Sequence, residues 1–494
     1  MFTPSPFIFG IEGLRPSRTA IQLLKDTEAA GILLLPRNIR TPDQVRGLVS
    51  GLQDQLGRPL LVSIDHEGGW VLRFTQGITF FPGNAALARS GRPQIARDVG
   101  RRMARELAAL GIGLNLAPVA DVQGTRYNPG IGIRSFGSDT KIVSKFTKEF
   151  ICGHLDHKVA ACVKHFPGKG EAVVDAHADI PTINASRRAM TARHLPPFAA
   201  AIAAKVPCVM TTHAVYPALD PSGATATYSR PIAHDLLRRR LGFSGVLISD
   251  DLCMGAVIKH ESVPQASVRA LRAGHDLLII AQAPHQRKSV LAVQSALDRG
   301  RLDAAQWRDS QRRIKHLLDR FVRPATGRIL RPDIQLPRRL AAAAVTVLQR
   351  GTVPLPLNWT GRPIIDVYWP NLREISGQFT FEGGPDAPLR LLRDRLSRWP
   401  AHIRYNTVPL IRRRRGTGEA RIKSPHLTLF FCFDALRYAA QKEALRHVQQ
   451  TTDRLVVLLM RNPWDQTLLD RRVTALTAYG FRNSQILALA ERLK

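Results

Sequence analysis

Eight short apolar runs, each followed by a segment of helical periodicity, predict a (β/α)8 barrel of the TIM type in residues 1–325. A proline-bearing linker at 326–337 and further alternating runs in 338–494 predict a smaller, sandwich-like α/β domain after it. A polar or charged residue follows most of the runs, and barrels place their chemistry at the C-terminal ends of their strands.

The runs lie at 7–11, 31–35, 59–64, 113–118, 160–164, 206–212, 245–249 and 276–280. Continuous apolar runs of about 4–8 residues suit parallel strands buried on both faces. Helical patterns fall between them at 42–56, 97–110, 141–157, 189–204, 231–241 and 284–298. The first has a start signal, with Thr41 as N-cap and Pro42 at the first helical position. Periodicity alone does not separate a closed barrel from an open doubly wound sheet, which stays open as the alternative. A helix at 304–321 ends the barrel region, and Arg323 to Pro337 reads as connecting chain. A helix over 338–350 and apolar runs at 363–369, 427–433 and 455–460 make up the second domain.

The 494 residues, 44% apolar and 22% charged, exclude wholesale disorder, a collagen-like fibre and a disulfide-stapled miniprotein. Lys and Arg number 71 against 39 Asp and Glu, a formal charge of +32. The excess is spread along the chain: residues 341–494 carry 24 basic and 12 acidic residues, the rest 47 and 27. The tight cluster is Arg412 to Arg415. A generally cationic surface is the plain reading, with a polyanion partner as the alternative. No zinc spacing or nucleic-acid-binding motif accompanies the charge, so no specific nucleic-acid partner is expected. Five cysteines without a CxxC pair fit free thiols in a reducing compartment. The first residues lack a signal-peptide pattern, and no stretch of about 18 apolar residues suggests a membrane span, so a soluble cytoplasmic protein is expected.

The run-ending residues are Glu12, Arg37, Asn38, Asp65, His66, Glu67, Asp121, Lys164, His165, Thr212, His213, Asp250 and Asp251. Each alone could be a cap or a structural partner. Their convergence on one end of successive strands is harder to assign to capping. The most informative block runs from Lys164 and His165 through Phe166, Pro167, Gly168, Lys169 and Gly170 to Asp175, Ala176 and His177. The two glycines suggest a mobile loop carrying Asp175 and His177 at the barrel mouth. A carboxylate bonded to an imidazole fixes its tautomer and raises its basicity, which suits proton transfer near neutral pH. A surface Asp–His turn pair is the competing reading of that loop on its own. Asp250 ends the seventh run, rigidly placed for a nucleophile, with Asp251 as a helix cap. Asp65 to Phe74, and Asn128 to Gly137, supply two further polar blocks.

These blocks carry a resemblance. Residues 7–325 resemble glycoside hydrolase family 3, and within it the bacterial β-N-acetylglucosaminidases (β-hexosaminidases). The family motifs I-D-x-E-G-G-R-V-x-R, R-S-F-G, K-H-F-P-G-x-G-x(4)-D-[ST]-H and S-D-D-L-x-M occur here in order, two of them with a substitution. The later segment around Arg461 to Asp465 and Thr477 to Gly480 resembles, more weakly, the second domain of longer members. The resemblance implies Asp250 as nucleophile, His177 as general acid/base and Asp175 as its dyad partner. It implies Asp65, Arg73, Arg134, Lys164 and His165 as sugar-binding residues. It also implies a retaining reaction on terminal β-1,4-linked GlcNAc of peptidoglycan fragments (muropeptides) or related oligosaccharides, during cell-wall recycling.

Four positions depart from the family pattern: Trp70 for Arg, Ile133 for an acid, Lys169 for His or Leu, and Ala176 for Ser or Thr. None removes a reacting group; Trp70 either stacks on a sugar or packs. The alternatives are a β-N-acetylglucosaminide phosphorylase and a non-catalytic carbohydrate-binding homologue. A Lys164 Schiff-base aldolase leaves the D-x-H block unexplained. No metal and no cofactor is expected.

Overall fold

The computed structural model describes residues 3–124, 127–176, 178–325, 327–358, 361–411 and 427–494. The chain forms two compact units. Met1–Glu67 and Arg92–Arg331 make the first; Gly68–Gly91 and Pro332–Lys494 make the second. The stretch 68–91, which the sequence reading includes in 1–325, thus packs with the C-terminal unit. Its ties are local and specific: the Gly383 amide donates to the Thr75 carbonyl at 2.8 Å, and the Asp333 amide to Thr79 Oγ1 at 2.8 Å.

The first unit is a parallel eight-stranded barrel. Its strands are β1 (Ser5–Gly10), β2 (Ala29–Leu34), β3 (Leu61–Ile64), β4 (Leu114–Asn115), β5 (Ala160–Phe166), β6 (Cys208–Thr211), β7 (Val246–Ile248) and β8 (Leu278–Ile280). They pair in the order β7-β6-β5-β4-β3-β2-β1-β8, and a parallel bridge from Ile248 to Leu277 joins the two ends. The closed alternative therefore holds over the open sheet. Alternate residues of β5 explain its unbroken apolar run: Ala160 and Cys162 pack with Ile8, Leu61, Cys208 and helix Ala304–Phe321, while Ala161 and Val163 pack outward with Phe198 and Leu237. All five cysteines are free thiols, four of them buried.

The second unit is a three-layer α/β/α sandwich. Its strands are β9 (Thr346–Gln349), β10 (Ile364–Pro370), β11 (His402–Val408), β12 (Leu427–Cys432), β13 (Leu455–Leu459) and β14 (Thr474–Thr477). The order is β11-β10-β12-β13-β14-β9, with β9 antiparallel at one edge. Strand alternation feeds two cores. Leu427, Leu429 and Phe431 face helices Ala387–Leu396 and Asn483–Arg492, while Phe430 and Cys432 face helix Ala439–Thr451. The predicted helix over 338–350 ends early, at Ala344, and Thr346–Gln349 pairs with β14 instead. The Arg412–Arg415 cluster lies outside the described residues.

Barrel helices Gln94–Ala109 and Thr140–Leu155 cross at two glycines. A Cβ on Gly153 would stand 2.3 Å from the Arg97 carbonyl oxygen, and one on Gly100 2.7 Å from that of Phe150. Both obstacles are helix backbone, so relief requires moving a helix. Gly153→Ala is expected to cost about 1–3 kcal/mol. Gly47→Ala, in open space on helix Pro42–Leu56, is expected to add about 0.5–1 kcal/mol. Denaturant midpoints at unchanged slope check both signs.

Candidate active site

The C-terminal ends of β3, β4, β5 and β7 bring polar groups into one network. At the end of β3, the His66 amide donates to Asn115 Oδ1 and Asn115 Nδ2 returns a bond to the His66 carbonyl, each 3.0 Å. This exchange fixes the 65–67 turn against β4. Asn115 Nδ2 also lies 2.9 Å from His154 Nε2, and His154 Nδ1 lies 3.1 Å from the Phe150 carbonyl. Burial holds the His154 imidazole down at about 4. The neutral ring therefore accepts at Nε2 and donates from Nδ1.

Lys164, on β5, sits between two carboxylates. Its Nζ is 2.8 Å from Asp65 Oδ1 and 2.6 Å from Glu67 Oε1. Glu67 in turn receives Arg134 bidentately, Nε to Oε2 at 2.9 Å and Nη2 to Oε1 at 2.7 Å. The Glu67 and Lys164 side chains are only 2% and 3% exposed, so these charges stand or fall together. Burial opposes ionisation of both. The Arg134 and Lys164 charges outweigh it and hold Glu67 below the usual carboxylate range; Asp65 and Glu67 outweigh it and raise Lys164.

His165 bridges the next pair. Its Nδ1 donates to Asp121 Oδ2 at 2.7 Å, which leaves Nε2 as the acceptor facing Arg134 Nη2 at 3.4 Å. Asp121 Oδ1 accepts the Lys169 amide at 2.6 Å. Burial pushes the Asp121 carboxyl up to about 6, against the Lys169 charge and these bonds. The Lys169 side chain is 94% buried, its ammonium drawn down by burial and supported by the Asp250, Asp121 and Asp175 carboxylates.

The glycines of the K-H-F-P-G block serve close packing rather than the mobility expected from sequence. A Cβ on Gly170 would stand 1.7 Å from the Val122 carbonyl, and one on Gly168 2.9 Å from the His194 Cβ. Asn128 Nδ2 donates to the Lys169 and Gly170 carbonyls, joining this turn to the loop that carries Arg134. Beyond it, the Asp175 carbonyl accepts the Ala178 and Asp179 amides at 2.8 and 3.1 Å. Ala176 packs on Met254 and Ala256, and its carbonyl accepts the Ala256 amide at 3.1 Å. The segment is thus docked on the loop that follows β7 and Asp250. His177 lies outside the described residues.

At the end of β7 the two carboxylates have different surroundings. Asp251 Oδ1 accepts the amides of Cys253 and Ala281 at 3.0 and 3.1 Å, and burial pushes its carboxyl up to about 6. Asp250 Oδ1 accepts the Asp251 amide at 3.0 Å, and its charge reaches Lys169. Of the residues singled out from sequence, Asp65, Arg134, Lys164 and His165 meet in one bonded cluster, and Asp250 and Asp175 share Lys169 as a charged neighbour. Arg73 belongs to the stretch that packs with the second unit. Glu67, Asp121 and Lys169 join the cluster without having been assigned a role. Their signal was position: two end strand runs, and the third departs from the family pattern. Among the other departures, Ile133 and Ala176 are buried, and Trp70 carries the Arg461 guanidinium 3.7 Å above its ring and packs on Phe379.

Residues 8–317 match the model of the glycosyl hydrolase family 3 N terminal domain, and the chain belongs to that family. It is a glycoside hydrolase. It is similar to the β-hexosaminidase of Alkalilimnicola ehrlichii, 34% identical over 292 residues, 58% of this chain and 83% of that one. The β-hexosaminidase of Tolumonas auensis is 32% identical over 335 residues, 64% of this chain and 99% of that one. Among solved structures, a family 3 β-N-acetylglucosaminidase from Paenibacillus sp. superposes with a TM-score of 0.89 at 30% identity, covering 99% of this chain and 95% of that one.

Asp121 yields a pH test. Its folded-state pKa is raised, so the buried carboxyl is tolerated best when protonated, and stability is lost as pH rises from about 4 through 6. Asp121→Asn removes that titration. The melting temperature of the variant relative to the native chain is expected to shift in the variant's favour between about pH 4 and 7. A difference that stays flat across this range would falsify the assignment.

Proposed function

We propose that the protein is a retaining β-N-acetylglucosaminidase that removes terminal β-1,4-linked GlcNAc from muropeptides in cytoplasmic cell-wall recycling. Asp250 is the nucleophile, His177 the general acid/base and Asp175 its partner. Asp65, Arg134, Lys164 and His165 bind the sugar. The observation that carries this reading is the docking of Ala176, flanked by the proposed dyad, onto the loop directly after Asp250. The β-hexosaminidase and β-N-acetylglucosaminidase names of the similar proteins support the substrate class.

In the first step an Asp250 oxygen bonds to the anomeric carbon as the glycosidic C–O bond breaks, and the departing oxygen takes the proton of His177. In the second, neutral His177 takes a proton from water, whose oxygen replaces Asp250 at the same carbon. The proton count closes over the cycle. Lys164, spanning Asp65 and Glu67, and Arg134, clamped by Glu67, hold donors and acceptors in fixed positions for a polar ring.

Loss of an acid/base group costs about 10²–10⁴-fold in rate, so His177→Ala is expected to fold and turn over that much more slowly on an unactivated GlcNAc glycoside. Near-native turnover sinks the role. Asp250→Asn is expected to abolish turnover and covalent labelling by a fluorinated hexosamine, read by mass spectrometry. The same product analysis with defined muropeptides, with and without phosphate, separates free GlcNAc from GlcNAc-1-phosphate and so hydrolysis from phosphorolysis.

A further inference from the structure

The N-terminal rim of the barrel, opposite the strand ends described above, holds a second concave feature. A cavity of about 570 Å³ lies between the residues entering β6 and β7 and helix Ala304–Phe321. Lys205, Arg238, Arg312, Arg313 and Arg320 line it. Its apolar lining includes Val206, Phe243 and Phe321.

Two of the cations are pre-set from behind. Asp276 is wholly buried; its Oδ2 accepts Arg238 Nη2 at 2.6 Å, and its Oδ1 accepts Arg313 Nη2 at 2.8 Å and Nε at 3.1 Å. Arg238 Nη1 is anchored on the Gly245 carbonyl at 3.0 Å, and its guanidinium lies 5.6 Å from the Phe243 ring centroid. At the rim, Arg312 pairs with Asp309. Arg320 lies over the Phe321 ring at 5.0 Å, with Nη1 3.4 Å from His316 Nε2, and among the described residues no carboxylate pairs with it or with Lys205. Five cations thus face two carboxylates.

Like charges gathered around a concave wall repel one another, and a mobile counter-ion relieves this only in part. A bound polyvalent anion relieves it fully, and guanidinium forks match phosphate oxygens in pairs. The volume falls in the range of small-ligand sites, roughly 300–1,000 Å³. We infer that this cavity is a binding site for a small oligophosphate anion, its phosphates held by Arg238, Arg313, Arg312 and Arg320 and its remainder laid against Phe243 and Phe321.

The probe is inorganic pyrophosphate, titrated calorimetrically into the full chain at constant ionic strength set with chloride. Saturable binding is expected at micromolar concentration. The double variant Arg312→Glu/Arg320→Glu, both at the rim and outside the glycosidase machinery, is expected to weaken it at least tenfold while GlcNAc-glycoside turnover stays native. Arg238 and Arg313 are left intact because Asp276 depends on them. No saturation by millimolar pyrophosphate overturns the proposal. So does equal affinity in the variant, or binding confined to long single-stranded oligonucleotides with pyrophosphate inert.

Discussion

A lysine buried between two carboxylates governs the candidate site. Lys164 cannot keep its charge in a dry barrel mouth unless Asp65 and Glu67 keep theirs, and Glu67 cannot keep its own without Arg134. Four charges from two loops and one strand are locked by mutual need rather than by any single strong bond. Replacing one member leaves a partner charged, buried and unpaired, which costs more than the pair contributes. Such a cluster is a poor device for stability and a good one for positioning. Its donors and acceptors are fixed by the cluster's own bonds, which suits the sugar-binding part proposed for it.

The barrel supplies the second constraint. Parallel strands deliver residues to one rim, but the loops must then be drawn together, and the means here are close backbone packing and amide donors. Gly170 lies against Val122, Asn128 bonds to the 169–170 carbonyls, and Asp121 holds both His165 and the Lys169 amide. The root of the segment leading to Asp175 is therefore rigid. Two further amides close onto the Asp175 carbonyl, and Ala176 is seated on Met254 and Ala256. Alanine suits this seat, since the position faces an apolar cluster; a Ser or Thr hydroxyl there would need a partner.

Much of this was legible in the chain. The eight runs map onto eight strands because residues buried on both faces must be apolar throughout, as in β5. Asp65, Lys164 and Asp250 stood out because a charge directly after such a run has few structural excuses. The rest depends on distance in space. Glu67 and Asp121 read as ordinary run-ending acids until Arg134, Lys164 and His165 are seen against them. The 68–91 stretch continues the 65–67 motif without a break, and only tertiary contacts assign it to the second unit. Thr346–Gln349 extends a helical pattern, yet its β-branched pair Thr346 and Val347 finds β14 as a partner, and pairing overrides propensity. The edge strand β11 alternates weakly, with most of its residues half-buried or exposed, so period two left little trace.

Two adjacent aspartates end β7, and their bonding divides the work between them. Asp251 accepts two backbone amides on Oδ1 in a low-dielectric site that penalises its charge, and its main-chain carbonyl also faces His213 Nε2 at 3.1 Å. It fixes the turn between β7 and β8. Asp250 takes a single amide, on Oδ1, within sight of the Lys169 ammonium. This difference suits the nucleophile's part proposed for Asp250: it carries one amide where its neighbour carries two, and a cation stands near it.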